Sequence, residues 1–241
     1  MTDPALEPRL RQLLTVFLEE NKKLNLSAFR TEEQCWIGNI LDSLAALELP
    51  FLSRLLPHPP SPSPNGGGGA EGVRELLDLG TGGGFPLLPL AIALPDVRFT
   101  GLDSVQKKVD AVNRMIGTLA LPNARCVCGR AEELGRSDAY RERFDVVTSR
   151  AVSDVNVLLE YASPFVKPGG RVVLWKSVTI DQELHDSLLA RAELSCHLIH
   201  QHVYELPGDW GKRQLLVFEK SSPLSGKYPR DIGVPKKDPL K

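Results

Sequence analysis

A glycine-dense turn follows the strand predicted near Glu75 to Asp78, and it is the part of this sequence most typical of ligand binding. Four of the five residues from Gly80 to Gly84 are glycines, and an apolar helix is predicted directly afterwards, with Pro86 suited to its first turn. Glycine adopts positive φ without strain and lets a ligand approach the backbone closely. In an open α/β sheet such a turn lies in the crevice at the carboxyl ends of the strands, where ligands bind.

The register of these glycines distinguishes between two nucleotide cofactors. The dinucleotide fingerprint G-x-G-x-x-G needs a third glycine where this chain has Phe85, counting from Gly80, or Leu87, counting from Gly82. The spacing that is present is G-x-G-x-G after Asp78, at Gly80, Gly82 and Gly84, and these four residues are candidate cofactor-binding residues. This spacing suits S-adenosylmethionine, which has no pyrophosphate to bind at the helix terminus but needs room for its methionine part.

Two acidic residues follow the next two predicted strands. Asp103 ends the second strand, 23 residues after Gly80, where a carboxylate can accept hydrogen bonds from ribose hydroxyls. The third strand leads to Ala131 and Glu132, where the adenine would lie. Either carboxylate alone could be a helix N-cap, but both together at this spacing from the glycine turn indicate a nucleoside site.

The elements that position these residues alternate between strands and helices. Alternation of this kind predicts a mainly parallel sheet with helices on both faces, and two final strands form a hairpin. The predicted fold is therefore a Rossmann-like α/β domain of the class I S-adenosylmethionine-dependent methyltransferases, with a seven-stranded, mostly parallel sheet and an N-terminal helical extension. Strands are predicted near 75–78, 98–102, 124–128, 144–148, 171–175, 197–204 and 214–219, and helices near 87–93, 105–119, 155–161 and 180–193.

Composition divides the chain into four parts. Residues 1–56 read as a helical extension, in which Thr31 and Gln34 form a capping box for a second helix. A proline- and glycine-rich linker covers 57–72, the Rossmann-like core covers 73–220, and a basic tail covers 221–241. The tail carries five cations against two carboxylates, whereas the whole chain has a net charge of −1.

Nothing in the sequence leads out of the cytoplasm. No apolar run approaches the roughly 18 residues of a membrane span, and the start has no secretion signal. The four cysteines form no zinc pattern and read as reduced, free core thiols, so no metal is expected. The residues carry no signal for the oligomeric state, and a monomer is the expectation.

Five segments, in order, resemble one family in particular. They are LDLGTGGGFP, GLDSVQKKV, GRAEEL, SRAV and the tail segment YPRDIGVPKKDPL. Together they resemble the bacterial 16S ribosomal RNA guanine-N7 methyltransferases, also called glucose-inhibited division protein B. Outside the linker, the resemblance covers nearly all of residues 24–240. The chain departs from the family pattern at Asn39, Leu87 and Ser177.

The resemblance implies roles for particular residues. The cofactor S-adenosylmethionine would be held by residues matching Gly80, Phe85, Ala131, Glu132 and Arg150, and Asp103 matches the ribose position. Arg150 and Lys176 follow the fourth and fifth strands, and we expect both to point into the crevice as the catalytic residues. Arg150 would orient the cofactor carboxylate or the target guanine, and Lys176 would contact RNA phosphate or the base.

The implied substrate explains why no conspicuous base is present. Guanine N7 carries a lone pair and no proton, so it can attack the sulfonium methyl directly and needs only positioning. The partner would be 16S ribosomal RNA or the small ribosomal subunit. Candidate RNA contacts are Asn25 and Ser27 at the far side of the pocket and, in the tail, Lys227, Tyr228, Arg230 and Lys236, with Tyr228 as a stacking ring.

Three other functions remain open at this level. A small-molecule methyltransferase would share the cofactor half, but the basic tail would have no role in it. A dinucleotide-dependent oxidoreductase conflicts with the missing third glycine. A non-catalytic, cofactor-binding regulator would not need Arg150 and Lys176, and transfer of a labelled methyl group would distinguish it.

Overall fold

A seven-stranded sheet forms the centre of the molecule in a computed structural model that describes residues 6–56, 74–150 and 153–241. The strand order is β3-β2-β1-β4-β5-β7-β6. β7 runs opposite to the other six strands, which all point in the same direction. The predicted linker, residues 57–72, lies outside the described residues. The strands are β1 (Glu75–Leu79), β2 (Arg98–Asp103), β3 (Ala124–Cys128), β4 (Phe144–Ser149), β5 (Val166–Ser177), β6 (Cys196–Glu205) and β7 (Lys212–Lys220).

The helices lie on both faces of this sheet. The N-terminal part contains α1 (Glu7–Leu24), α2 (Glu32–Cys35), a π-helical turn (Trp36–Leu41), α3 (Asp42–Leu44), a 3₁₀ turn (Ala45–Glu48) and α4 (Pro50–Ser53). The remaining helices are α5 (Leu87–Ala93), α6 (Gln106–Thr118), α7 (Ala131–Leu134), α8 (Val155–Ala162), α9 (Asp181–Asp186), α10 (Leu188–Glu193), a 3₁₀ turn (Gly208–Trp210) and α11 (Val234–Lys237).

Alternation along the strands divides the core into two clusters. Leu76 and Val146 point to the face covered by α1, α5 and α6, whereas Leu77 and Val147 point to the face covered by α8 and α10. Successive side chains of a strand point to opposite faces, so each central strand contributes to both clusters. The parallel strands are buried on both faces, as expected for a sheet between two helical layers.

The fold prediction is confirmed, with three local differences. Residues 180–193 form two helices that meet at Ser187, whose hydroxyl donates to the Leu184 carbonyl (2.7 Å). β5 begins at Val166, before the predicted start, and passes through Gly169 at φ +79°. The capping box is present at Thr31, but the helix after it becomes a π-helical turn.

The basic tail packs on the domain instead of extending into solvent. The Arg141 guanidinium donates to the carbonyls of Tyr228 (2.9 Å) and Leu224 (3.0 Å). The amide of Asn156 in α8 donates to the Leu240 carbonyl (3.1 Å). The tail therefore lies along the helical face formed by α7 and α8.

Candidate active site

The glycine turn has the backbone geometry that its sequence predicts. Gly80, Gly82 and Gly84 have φ values of +73°, +56° and +92°, which residues other than glycine rarely adopt. At Gly84 a Cβ atom would also lie 2.6 Å from the Leu88 side chain. The amides of Gly80 and Thr81 donate to the Leu102 carbonyl, so the turn is attached to the end of β2.

Asp103 lies at the end of β2 with both carboxylate oxygens partly used. One oxygen accepts from the Gly82 amide (3.0 Å) and the other from the Val105 amide (2.9 Å). An ionised carboxylate has about four acceptor sites, so each oxygen can still accept one bond from a ribose hydroxyl. The side chain is buried, and it is held in place before any ligand binds.

Asp78 lies under the turn and does not face the ligand cavity. Its carboxylate accepts from the Thr148 hydroxyl (3.1 Å) and the Leu87 amide (3.3 Å). Burial raises the pKa of Asp78 to about 6. These bonds connect β1, β4 and the start of α5, so we interpret Asp78 as a residue that shapes the glycine turn.

A first cavity of about 240 Å³ contains four of the predicted cofactor residues: Gly80, Asp103, Ala131 and Glu132. Its lining also includes Tyr161 of α8 and Lys236 of the tail, and the sequence did not indicate either as part of a nucleoside pocket. A carboxylate with free acceptor sites beside a turn that no Cβ fills matches the ribose and adenosine of S-adenosylmethionine. The predicted residue Phe85 packs edge-on against Phe17, with ring centroids 4.8 Å apart, and does not line this cavity.

A second cavity, of about 620 Å³, adjoins the first because Ser153 and Lys236 line both. It contains both predicted catalytic residues and two further cations: Arg150, Lys176, Arg213 and Lys236. Its carboxylates are Asp42, Asp154 and Glu183. The crevice predicted at the carboxyl ends of β4 and β5 is therefore a cavity rich in charges of both signs.

Arg150 is held by the N-terminal helices. Its guanidinium donates to the carbonyl of Gly38 (2.8 Å), to Oδ1 of Asn39 (2.9 Å) and to Oδ2 of Asp42 (3.0 Å). The guanidinium also lies 5.7 Å from the centre of the Phe85 ring. Asn39, one of the departures from the family pattern, is thus a direct partner of Arg150.

Asp42 is a site residue that the sequence reasoning missed. Its Oδ1 accepts from the Tyr204 hydroxyl (2.6 Å), and its backbone carbonyl accepts from the Trp175 indole (2.8 Å). The contacts of Asp42 join segments more than 100 residues apart in the sequence, and only the fold brings them together. Burial and the Asp42 carboxylate raise the pKa of Tyr204, which keeps that hydroxyl a donor.

Lys176 lies almost buried beside a carboxylate. Its ammonium donates to the Ser153 carbonyl and forms an ion pair with Glu183 of α9. Glu183 also accepts from the amide of Val155 at the start of α8 (2.6 Å). The Lys176 charge is therefore compensated within the protein.

Asn25 and Ser27 lie in the connector between α1 and α2 and line neither of these two cavities. Asn25 ends α1 with φ +51°, and its amide oxygen accepts from Arg30 (3.0 Å). The Ser27 hydroxyl accepts from the amide of Phe29 (3.2 Å). The connector packs on the glycine turn, because a Cβ atom on Gly83 would lie 3.2 Å from Leu26.

Of the four tail residues predicted to contact RNA, Tyr228 and Arg230 are held by contacts within the protein, whereas Lys227 and Lys236 are exposed. Tyr228 is 4% exposed and its hydroxyl donates to Glu193, so the prediction of a stacking ring is corrected: the ring belongs to the core. Arg230 forms a two-pronged ion pair with Glu160, which corrects its interpretation as a phosphate contact. Lys236 is exposed and borders both cavities.

Lys227 keeps an exposed ammonium, which pairs with Glu193 at 2.6 Å. Among the cysteines, Cys35, Cys126 and Cys196 are buried as predicted, whereas Cys128 at the end of the edge strand β3 is exposed and is not a core thiol. No group of three or more His, Cys, Asp or Glu residues that could hold a metal occurs within residues 6–56, 74–150 and 153–241. The same part of the chain has no helix long and apolar enough to cross a membrane.

The strand order with its reversed last strand, the glycine turn and the strand-end carboxylate define a Rossmann-like, S-adenosylmethionine-dependent methyltransferase. A solved S-adenosylmethionine-dependent methyltransferase, SibL in its apo form, shares the fold with a TM-score of 0.53 at 17% identity, over 88% of this chain and 70% of that one. The profile of the family described as rRNA small subunit methyltransferase G (GidB) matches residues 69–215.

Two relatives identify the family over nearly the whole chain. Ribosomal RNA small subunit methyltransferase G of Deinococcus radiodurans is 38% identical over 234 residues, which is 97% of this chain and 85% of the relative. The protein of the same name from Alkaliphilus oremlandii is 37% identical over 226 residues, covering 94% of this chain and 87% of the relative. The chain belongs to the rRNA small subunit methyltransferase G family.

Proposed function

We propose that this protein transfers a methyl group from S-adenosylmethionine to N7 of one guanosine in 16S ribosomal RNA, in the cytoplasm and as a monomer. The observation that supports this best is the junction of the two cavities at Ser153 and Lys236. It allows a nucleoside cofactor beside Asp103 to present its methyl group to a base beside Arg150. The family's curated relatives carry the matching name, with small-subunit rRNA as substrate.

The first cavity would hold the adenosine part of the cofactor. Asp103 would accept from the ribose hydroxyls, and Ala131 and Glu132 at the start of α7 would border the adenine. The methionine part would extend past Gly80 towards the second cavity, which shares Ser153 and Lys236 with the first. When bound, S-adenosylmethionine supplies a methyl group on a positively charged sulfur.

The residues of the second cavity would act by positioning the base. Guanine N7 has a free lone pair and bears no proton, so the transfer requires no residue to accept a proton. Arg150 is held by three acceptors from the N-terminal helices and is therefore already oriented before RNA binds. Its planar donor fork can bind the guanine O6 or the cofactor carboxylate.

Paired carboxylates also fit the product. Methylation at N7 makes the purine cationic, and a cavity containing only cations would repel it. Asp42 and Glu183 compensate Arg150 and Lys176 within the site. The cavity can therefore orient a neutral guanine and still tolerate the charge that appears during the reaction.

The test is transfer of a labelled methyl group to 16S RNA and to small subunits from cells lacking this gene, followed by chain cleavage at N7-methylguanosine. We expect incorporation at one guanosine. Arg150→Ala should abolish the transfer and also lower the stability by about 3 kcal/mol, because it leaves the Asp42 carboxylate without its ion-pair partner. Arg98→Ala, which removes an exposed arginine at the amino-terminal end of β2, should leave the transfer unchanged. Cofactor binding without incorporation into either RNA would favour a small-molecule methyltransferase instead.

A further inference from the structure

A third cavity adjoins the second on the side away from the cofactor residues. Its volume is about 690 Å³, and Arg213 of β7 lines both cavities. It lies between α2 and the β6–β7 hairpin, and its lining includes Glu33, Ile37, Pro207, Asp209, Trp210 and Arg213. The three cavities are thus neighbours in series: Lys236 lines the first and the second, and Arg213 lines the second and the third.

These two shared residues carry the uncompensated positive charge of the three cavities. Arg150 pairs with Asp42 and Lys176 pairs with Glu183. Within the described residues, neither Arg213 nor Lys236 forms an ion pair, and the Arg213 guanidinium donates only to the carbonyl of its neighbour Lys212 (3.3 Å). A phosphate needs an accessible cation, so Arg213 and Lys236 are better placed to bind the RNA backbone than Arg150 or Lys176.

Trp210 gives the third cavity an aromatic wall. The indole packs on the Phe29 ring, 5.1 Å between centroids, and against Gly38, where a Cβ atom would lie 2.6 Å from the indole. Trp210 lies in the short loop between β6 and β7, which is closed by a hydrogen bond from the Leu206 amide to the Gly211 carbonyl (3.1 Å). Aromatic side chains of this kind stack on unpaired bases.

The acidic residues of the third cavity indicate which part of a nucleotide it would hold. Glu33 and Asp209 would repel a phosphate inside the cavity, but their oxygens can accept from the amino and imino groups of a base. The phosphate would then remain at Arg213, at the junction. This distribution of charge fits a nucleotide whose base enters the third cavity and whose phosphate stays at the entrance.

We propose that the third cavity binds the base of a nucleotide next to the target guanosine, with that base on Trp210 and the linking phosphate on Arg213. This inference rests on the proposed function, because it assigns a second nucleotide to the same RNA strand. It makes Arg213 and Trp210 substrate-binding residues and separates them from Arg150, which acts at the target base.

The test measures methylation kinetics on small subunits from cells lacking this gene, together with direct RNA binding. Arg213→Ala should raise the KM for RNA about tenfold, leave the KM for S-adenosylmethionine unchanged and lower the slope of log affinity against log salt by about one. The matched control is Lys212→Ala, which removes the neighbouring exposed cation outside the three cavities. Trp210→Leu should raise the KM about tenfold, and Trp210→Phe should restore most of the affinity.

The outcomes separate this inference from the proposed function. Suppose that the wild type methylates the RNA. If Arg213→Ala then has the same KM for RNA as Lys212→Ala, or Trp210→Leu the same KM as the wild type, the inference is overturned and the proposed function stands. A wild-type protein that binds the RNA without methylating it would still support the subsite if the variants weaken binding as stated. A wild-type protein that neither binds nor methylates the RNA would overturn both.

Discussion

Arg230→Met should destabilise the protein strongly, although arginine in a basic tail is usually replaced without effect. The Arg230 guanidinium binds both oxygens of Glu160, at 2.9 Å and 2.7 Å. The Glu160 side chain is 1% exposed, so methionine would leave a buried carboxylate with the Arg230 backbone amide (3.0 Å) as its remaining partner in the tail. Methionine keeps the length of the side chain, so the loss is mainly electrostatic.

The expected cost follows from that burial. Removing one partner of a buried ion pair costs about 3–5 kcal/mol, and the lower end applies because the Arg230 side chain is 22% exposed and water can replace part of it. For a chain of this size, about 3 kcal/mol corresponds to a fall in Tm of roughly 6–12 °C. Undocking of the tail would limit the loss to the free energy with which the tail is held.

The assay is unfolding by urea and by heat, with Lys227→Met as the matched control. Lys227 is also a basic tail residue paired with a helix carboxylate, but its side chain is 58% exposed, and its loss should leave the Tm within error of the wild type. Glu160→Gln combined with Arg230→Met should recover part of the lost stability. Equal Tm values for Arg230→Met and Lys227→Met would refute the anchoring role of Arg230. If Arg230→Met instead had wild-type stability but a lower affinity for RNA, the original interpretation of Arg230 as a phosphate contact would be supported.

Three further predictions concern other parts of the fold. Burial raises the pKa of Asp78 from 3.8 to about 6, so the protonated carboxyl stabilises the fold below pH 4 and this contribution is lost as the pH rises through 6. The shift corresponds to roughly 3 kcal/mol in the free energy of unfolding. Asp78→Asn should remove that part of the pH dependence in urea titrations. Gly38→Ala places a Cβ atom 2.4 Å from Phe29, so it should lower the stability by about 1–3 kcal/mol and reduce methylation. Gly117→Ala, in open space on α6, should do neither, and equal melting curves for the two variants would contradict this prediction. Cys128 should react with iodoacetamide in the native protein while Cys35, Cys126 and Cys196 do not, because burial raises the pKa of Cys126 and Cys196 to about 12; mass spectrometry of the labelled peptides decides.

The sequence was sufficient for most features that depend on local pattern, although not for the exact bounds of β5 or the break between α9 and α10. Short apolar segments separated by turn residues predict the seven strands. The spacing of the glycines, together with Asp103, predicts the nucleoside cavity. The partners of the cations could not be predicted in this way. A basic residue looks alike in the sequence whether it meets a buried carboxylate, as Arg230 does, or none, as Lys236 does within the described residues. That difference arises from contacts between segments 70 or more residues apart.

The contact between the tail and Glu132 makes the cofactor pocket depend on a segment outside the sheet. The Gly233 amide donates to the Glu132 carboxylate at 2.9 Å, and Lys236 forms part of the wall of the first cavity. All seven strands precede these residues in the sequence, so the sheet does not need the tail in order to form. Undocking of the tail would therefore open the first cavity on one side while the sheet stays intact, and a cofactor bound in that cavity would in turn hold the tail on the domain.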